Sequence, residues 1–201
     1  MSLFAFDEAF CFQGYTTIAG IDEAGRGCLA GPVVAACVSF KEKIFIEGIR
    51  DSKELTAEQR ESFFQEILNN AFVGIGIIDI DLIDRINILE ATRLAMKKAY
   101  ENLGREIELL LIDAIELPEL KINQKAIVKG DKKSAVIASA SIVAKVTRDR
   151  IMRQYHKVYP QYGFEKNKGY ATKEHLMALK KFGPCPIHRK SFSPVKELTL
   201  F

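Results

Sequence analysis

Four carboxylates stand where the chain changes direction. Asp22 and Glu23 are adjacent, after the apolar run TTIAGI and just before AGRG. Asp113 closes a second apolar run, ELLLID, and Asp131 lies in KGDKKS, where strand character gives way to helix. Like charges brought together repel and raise one another's pKa values. Bound cations remove that conflict, and an all-oxygen donor set favours Mg²⁺ or Mn²⁺ over zinc. Two such ions can activate a water and stabilise the leaving oxygen of a phosphodiester. A single acid at a turn is commonly only a cap or a surface group. Four of them beside a basic region argue for a site.

The surrounding elements must converge these acids. Residues 4–13 could form a short amphipathic helix. Thr16 to Asp22 and Pro32 to Phe40 read as strands from their β-branched and apolar runs bounded by glycines. Side chains of neighbouring strand residues point to opposite faces, so the first strand is expected to end or bulge at Asp22 and Glu23. Thr56 to Asn69 has a helical apolar stripe, with Thr56 and Gln59 spaced as a capping box. Phe72 to Ile78 is a third strand, and Asn87 to Leu103 a helix with Gly104 at its C′ position. Glu108 to Asp113 is continuously apolar before its last residue, as in a parallel strand buried on both faces. A short strand over 126–129 follows. A helix from about Lys133 to Val158 begins with the small-residue segment SAVIASASIVA, which can pack closely on a sheet. A loop then leads to Thr172, which can cap a helix to about Phe182. The class is α/β: a mixed sheet covered by helices, with a helical C-terminal region. The expected division is a catalytic core over 1–158 and a substrate-binding region over 159–201 packed on it.

At 201 residues the chain can bury a full core. Its 48% hydrophobic and 27% charged composition is that of a globular protein rather than a disordered one. No apolar run approaches the roughly 20 residues of a membrane helix, and the N-terminal residues lack the basic start of a signal peptide. A cytoplasmic location and a monomer are expected. Cys11, Cys28, Cys37 and Cys185 have no zinc-ligand spacing beyond the Cys185–His188 pair and read as reduced. Residues 1–128 carry a net charge of −8 and residues 129–201 a net of +11. The basic third suits a polyanionic partner such as nucleic acid.

GIDEAGRG (20–27), DSKEL (51–55), LLLIDA (109–114), KGDKKS (129–134), ASASIVAKVTRDR (138–150) and GYATKEH (169–175) together resemble the motif series of the type 2 ribonucleases H, ribonuclease HII. The motifs keep the family's order and extend over nearly the whole chain. The resemblance implies a ribonuclease H-like fold with a mixed five-stranded sheet, and two divalent ions held by Asp22, Glu23, Asp113 and Asp131. It implies hydrolysis of the RNA strand of RNA/DNA hybrids and of the 5′ side of ribonucleotides embedded in duplex DNA, leaving a 3′-OH and a 5′-phosphate. The backbone of Gly25, Arg26 and Gly27 is expected to read the ribose 2′-OH, and Tyr170 to stack at the RNA–DNA junction. Lys53, Ser141, Lys145 and Arg148 match positions near phosphates. His188, in GPCPIHRKSF (183–192), is a candidate either for a neighbour of the substrate or for a structural role.

Two departures from the family pattern stand out. Cys28 replaces the usual proline after GRG, which could loosen the turn, and Glu54 replaces a second lysine, which removes a basic charge. The chain ends in ELTLF (197–201), similar to the bacterial sliding-clamp-binding pattern Q-L-x-L-F with Glu for Gln. That likeness implies a tail that docks Leu198, Leu200 and Phe201 into a clamp groove.

Overall fold

The computed structural model describes residues 2–42 and 46–198. Five strands form one sheet: β1 (Ile18–Ala24), β2 (Val33–Phe40), β3 (Ala71–Ile78), β4 (Leu109–Asp113) and β5 (Gln124–Ile127). Their order across the sheet is β3-β2-β1-β4-β5. The β1–β2 and β2–β3 pairs are antiparallel, while β1–β4 and β4–β5 are parallel. The mixed five-stranded sheet expected from the motifs is therefore the one observed.

Helices cover both faces. α1 (Leu3–Cys11) and α2 (Ala57–Asn70) precede β3, and α3 (Ile80–Ile86) and α4 (Ile88–Glu101) follow it. The long α5 (Ala135–Val158) crosses one face of the sheet. Its N-terminal half is buried, and Gly20 of β1 is what lets it come close. A Cβ built on Gly20 would sit 2.3 Å from the Val136 carbonyl carbon. On the opposite face, α4 presses its backbone onto Gly74 and Gly76 of β3, where added Cβ atoms would meet Ala99 O at 2.0 Å and Ala95 O at 1.9 Å. Apolar residues fill both interfaces. Ile21, Ala35, Leu110, Ile112 and Met96 belong to the α4-side core; Ala36, Val38, Ala138, Ile142 and Phe64 belong to the α5-side core. Fully burying a Leu- or Ile-sized side chain stabilises by about 1.5–3 kcal/mol.

Caps fix several boundaries. Thr56 accepts from the Gln59 N–H while Gln59 Oε1 accepts from the Thr56 N–H, the capping box expected for α2. Ser134 accepts from the Ile137 N–H at the start of α5. Elsewhere the boundaries differ from the sequence reading. β5 lies two residues earlier than 126–129, because Lys129 turns left-handed (φ 56°) and starts a 3-10 turn over Gly130–Lys132. A helix precedes Asn87: α3 ends there, and Asn87 (φ 70°) redirects the chain and caps α4 through the Leu89 and Glu90 N–H groups.

After α5 come a 3-10 turn (Pro160–Tyr162), α6 (Phe164–Asn167), α7 (Lys173–Phe182) and α8 (Val195–Leu198). Tyr162, Phe164, Ala178, Cys185 and Ile187 pack with Met152 of α5, Ala30 and Ile80. This small core ties the C-terminal region to the loop that follows β1. Among the described residues no helix is long and apolar enough to cross a membrane.

Candidate active site

The acids gather at the carboxyl ends of the two parallel central strands. The β1–β4 ladder stops at Ile21↔Ile112, so Asp22 and Asp113 are the next residue on each strand. Beyond that point β1 stays paired to β2 through Asp22↔Ala36, Glu23↔Ala35 and Ala24↔Val34. The strand therefore neither ends nor bulges at the acids, contrary to the sequence expectation. It is the pairing on the β4 side that stops. Crevices at the carboxyl ends of parallel strands are where α/β sheets place their ligand sites.

Each carboxylate is held by a specific contact. Asp22 is 5% exposed; its Oδ1 accepts the Glu23 N–H at 2.7 Å. Ser141 of α5 sits beside Asp22 and favours its charged form, and its Oγ lies 2.9 Å from Ser52 Oγ. Asp113 Oδ1 accepts the Gly130 N–H at 2.7 Å, which docks the 129–134 turn against the end of β4. A Cβ on Gly130 would meet Ile137 Cδ1 at 2.6 Å, so glycine permits that docking. Asp131 is buried and its Oδ2 accepts from Lys53 Nζ at 3.2 Å. Glu23 Oε1 accepts from Arg26 Nη1 at 3.2 Å.

These carboxylates are electrostatically unfavourable as they stand. Burial raises the pKa of Asp22 well above the usual carboxylate range, and the charges of Glu23 and Asp113 add to it. Burial and the Asp113 charge also raise Glu23, against the pull of Arg26. Asp113 is raised by burial and by Asp131. Burial opposes the charge on Lys53, but Asp131 and its neighbours outweigh it and hold the ammonium protonated. A hard divalent cation suits this donor set, because it would relieve three raised carboxyls at once. Among the described residues no three Asp, Glu, His or Cys side chains form a closed ligand cage. Asp131 and Glu23 are instead turned onto Lys53 and Arg26, contacts that a bound cation would compete for.

The GRG turn lies directly beside Glu23. Gly25 adopts φ +99°, and a Cβ there would strike Arg148 Nε at 2.1 Å, so only glycine fits. Gly27 faces open space. Tyr170 stands across from this turn, 43% exposed, with Lys145 Nζ 5.7 Å and Arg148 Cζ 6.0 Å from its ring centre. Its hydroxyl lies toward Cys28, which is fully buried. Lys145 also reaches Asp149 at 2.8 Å.

Three residues expected near phosphate or substrate are buried in contacts with the protein itself. Arg148 is fully buried and donates to Pro32 O, Ala30 O and Lys168 O. Its three nitrogens are committed to holding the loop after β1 against the 168–170 segment. Ser141 is buried against Ser52 and Asp22, so it orients a carboxylate instead of facing solvent. His188 is 1% exposed and bonded to His175. Glu54 pairs with Lys132 at 2.7 Å at the surface.

The sequence reading passed over two residues of the site. Asp51 is 2% exposed, caps the 3-10 turn Ser52–Glu54 through the Lys53 N–H, and lies 3.6 Å from Lys132 Nζ. It precedes Lys53 in the DSKEL motif, which was its available signal. Arg189 is fully buried and reaches the carbonyls of Gly25, Arg26 and Gly31. It stands in PIHRKSF next to His188, and nothing in its local sequence distinguishes a buried arginine from a surface one.

Comparison with known proteins gives one answer. The family model for ribonuclease HII matches residues 19–195. The ribonuclease HII of Caldanaerobacter subterraneus subsp. tengcongensis is 60% identical over 181 residues, covering 90% of this chain and 75% of that one. Among solved structures, the ribonuclease H2 of Pyrococcus horikoshii OT3 aligns with a TM-score of 0.75 at 26% identity, over 91% of this chain and 97% of that one. The PCNA:RNase HII complex of Archaeoglobus fulgidus aligns with a TM-score of 0.74 at 26% identity, over 88% of this chain and 95% of that one.

Proposed function

The chain belongs to the ribonuclease HII family, and from that premise we propose that it cuts RNA joined to or paired with DNA, at the 5′ side of ribonucleotides in DNA duplexes and within the RNA strand of hybrids. The observation that carries this reading is the meeting of Asp22 and Asp113 where the β1–β4 ladder ends, with Glu23 and Asp131 beside them. Mg²⁺ or Mn²⁺, two ions during catalysis, would be held by Asp22, Glu23, Asp113 and Asp131; bound there they make water a stronger nucleophile and offset charge on the phosphate.

The chain's own groups do the rest. The Glu23 N–H fixes the direction of Asp22, and Ser141 stands beside it. The Gly130 N–H fixes Asp113. Lys53, its side chain largely in solvent, is free to exchange Asp131 for a phosphate oxygen. Lys145 lies over the Tyr170 ring, so a strand stacked on Tyr170 has a cation within reach of its backbone. The GRG backbone supplies contact with the 2′-OH.

Cleavage of matched duplexes containing no ribonucleotide, one, or several, with and without chelator, tests the assignment. Cutting only the ribonucleotide-containing duplexes, and only without chelator, is expected. Equal cutting of the all-DNA duplex would remove the ribonuclease reading.

The C-terminal segment is proposed to dock on a sliding clamp. Leu198 is exposed at the end of α8; Leu200 and Phe201 lie outside the described residues. The Archaeoglobus relative was solved in complex with PCNA. Deleting 197–201 should abolish clamp binding and leave cleavage of short duplexes intact; unchanged clamp binding would end this proposal.

A further inference from the structure

We propose that Arg189 is the positioning residue that makes the GRG turn a reader of ribose, by turning two backbone N–H groups toward the substrate. The proposal rests on the ribonuclease reading above. Arg189 is fully buried, and its donors go to backbone carbonyls. Nη1 donates to Arg26 O at 2.9 Å, Nη2 to Gly25 O at 2.7 Å and Gly31 O at 2.8 Å, and Nε to Gly31 O at 3.0 Å. The ring of Phe192 supports the guanidinium, 5.0 Å from its carbon to the ring centre. A second buried arginine, Arg148, lies close by and lines Gly25 from the side.

Two neighbouring buried cations are a costly way to hold a turn. Burial and the Arg148 charge drag the Arg189 pKa down to about 10. Apolar packing generally stabilises a core as well or better. The arrangement has a geometric effect that apolar packing lacks. A trans peptide is planar, with its C=O and the next residue's N–H pointing in opposite directions. Arg189 draws the Gly25 and Arg26 carbonyls inward. The N–H groups of Arg26 and Gly27 must then face away from Arg189.

That outward side is open. Arg26 and Gly27 are exposed, and the space beside Gly27 is empty to beyond 4 Å. Among the described residues, neither N–H donates to a protein acceptor. Glu23, whose carboxylate touches Arg26, is three residues away from Arg26 along the chain, so the two donors border the acids. Successive N–H groups aimed at one point bind an oxygen. A ribose presents a hydroxyl oxygen there and a deoxyribose presents none.

The test uses the Asp113→Asn protein, so that substrates stay uncut. Its affinity is measured for two duplexes that differ by a single 2′-OH, with and without Arg189→Lys. An ammonium is a point charge and cannot hold three carbonyls in the plane of a guanidinium. Arg189→Lys is expected to lower the ribonucleotide preference by about tenfold while binding of the all-DNA duplex stays within about threefold. A general loss of fold would weaken both duplexes alike. An unchanged preference in a folded Arg189→Lys protein overturns the proposal. Absence of any preference before Arg189 is changed overturns the 2′-OH reading itself, and the role proposed for Arg189 with it. Should Arg189→Lys not fold, amide exchange of the Asp113→Asn protein decides. The Arg26 and Gly27 N–H groups should be slowed by the ribonucleotide duplex and not by all-DNA; equal slowing by both overturns the proposal.

Discussion

The Nε2 atoms of His175 and His188 lie 3.0 Å apart in the buried C-terminal core. Their other nitrogens settle the protons. His175 Nδ1 meets the Tyr170 carbonyl at 2.8 Å, so that nitrogen must donate. His188 Nδ1 accepts the Cys185 N–H at 2.9 Å. One hydrogen remains between the two Nε2 atoms, carried by His188. Both rings are then neutral, and the relay runs from the 183–188 loop to the backbone of Tyr170.

Acid should break this relay. Burial pushes His188 down to about 4, helped by the His175 charge, and burial also lowers His175. A histidine with a depressed folded pKa binds fewer protons folded than unfolded, so its stabilisation is present above about 6.5 and is lost as pH falls from there toward 4. The raised carboxyl of Asp7, pushed by burial to about 6, acts with the opposite sign over an overlapping range. The comparison must therefore be a difference. Urea denaturation from pH 7.5 to 4.5 should show wild type losing about 2 kcal/mol more than His188→Gln. Parallel stability curves would show that the pair is not kept neutral by the fold.

Asp113→Asn should separate binding from cutting. Asparagine can still accept the Gly130 N–H, but it takes one charge out of a cluster in which burial and like charges raise Asp22, Glu23 and Asp113. Cleavage should fall below detection while duplex binding persists. Without divalent ions the variant should be more stable than wild type by about 1 kcal/mol, the usual relation between strained sites and stability. Mg²⁺ should raise the melting temperature of wild type more than that of the variant. Unimpaired cleavage would count against the site.

Gly20 and Gly27 should respond oppositely to alanine. A methyl at Gly20 lands 2.3 Å from the Val136 carbonyl carbon, which is helix backbone and cannot step aside without moving α5. Gly20→Ala should cost about 3 kcal/mol, toward the upper end of overpacking penalties, and should displace Ser141 from Asp22. Gly27→Ala meets nothing within 4 Å and should change stability by less than about 1 kcal/mol. Urea midpoints of the two variants check this directly. A Gly20→Ala protein as stable as wild type would mean that α5 is not seated on β1.

The acids were legible in sequence because apolar strands that end in a carboxylate are conspicuous, and Asp22 and Asp113 do lie at adjacent strand ends. How β1 behaves there was not legible. Whether a strand stops depends on partners far along the chain, and β2 continues the ladder to Ala24 after β4 has let go at Ile21. The small-residue start of α5 announced its close packing, since only small side chains allow it. α3 was missed, because seven residues after a strand are too few for helical periodicity to show, although Asp79 caps it. Basic residues misled most. Arg148 matches a position near phosphate and Arg189 passes for a surface arginine, yet carbonyls brought from remote segments bury both. Local sequence carries no mark of that.

Tyr170 should act through its ring face more than through its hydroxyl. The hydroxyl is turned onto buried Cys28, while the ring is 43% exposed beside Lys145. Base stacking on an aromatic side chain contributes about 1–3 kcal/mol. Tyr170→Ala should therefore weaken binding of a duplex with one embedded ribonucleotide by about tenfold to a hundredfold. Tyr170→Phe keeps the stacking face and loses only the contact to Cys28, so it should stay within about threefold of wild type. The measurement is equilibrium binding of each variant in the Asp113→Asn background. A Tyr170→Phe protein as weak as Tyr170→Ala would move the role from the ring to the Cys28–hydroxyl contact. If neither substitution changes binding, Tyr170 does not touch the substrate.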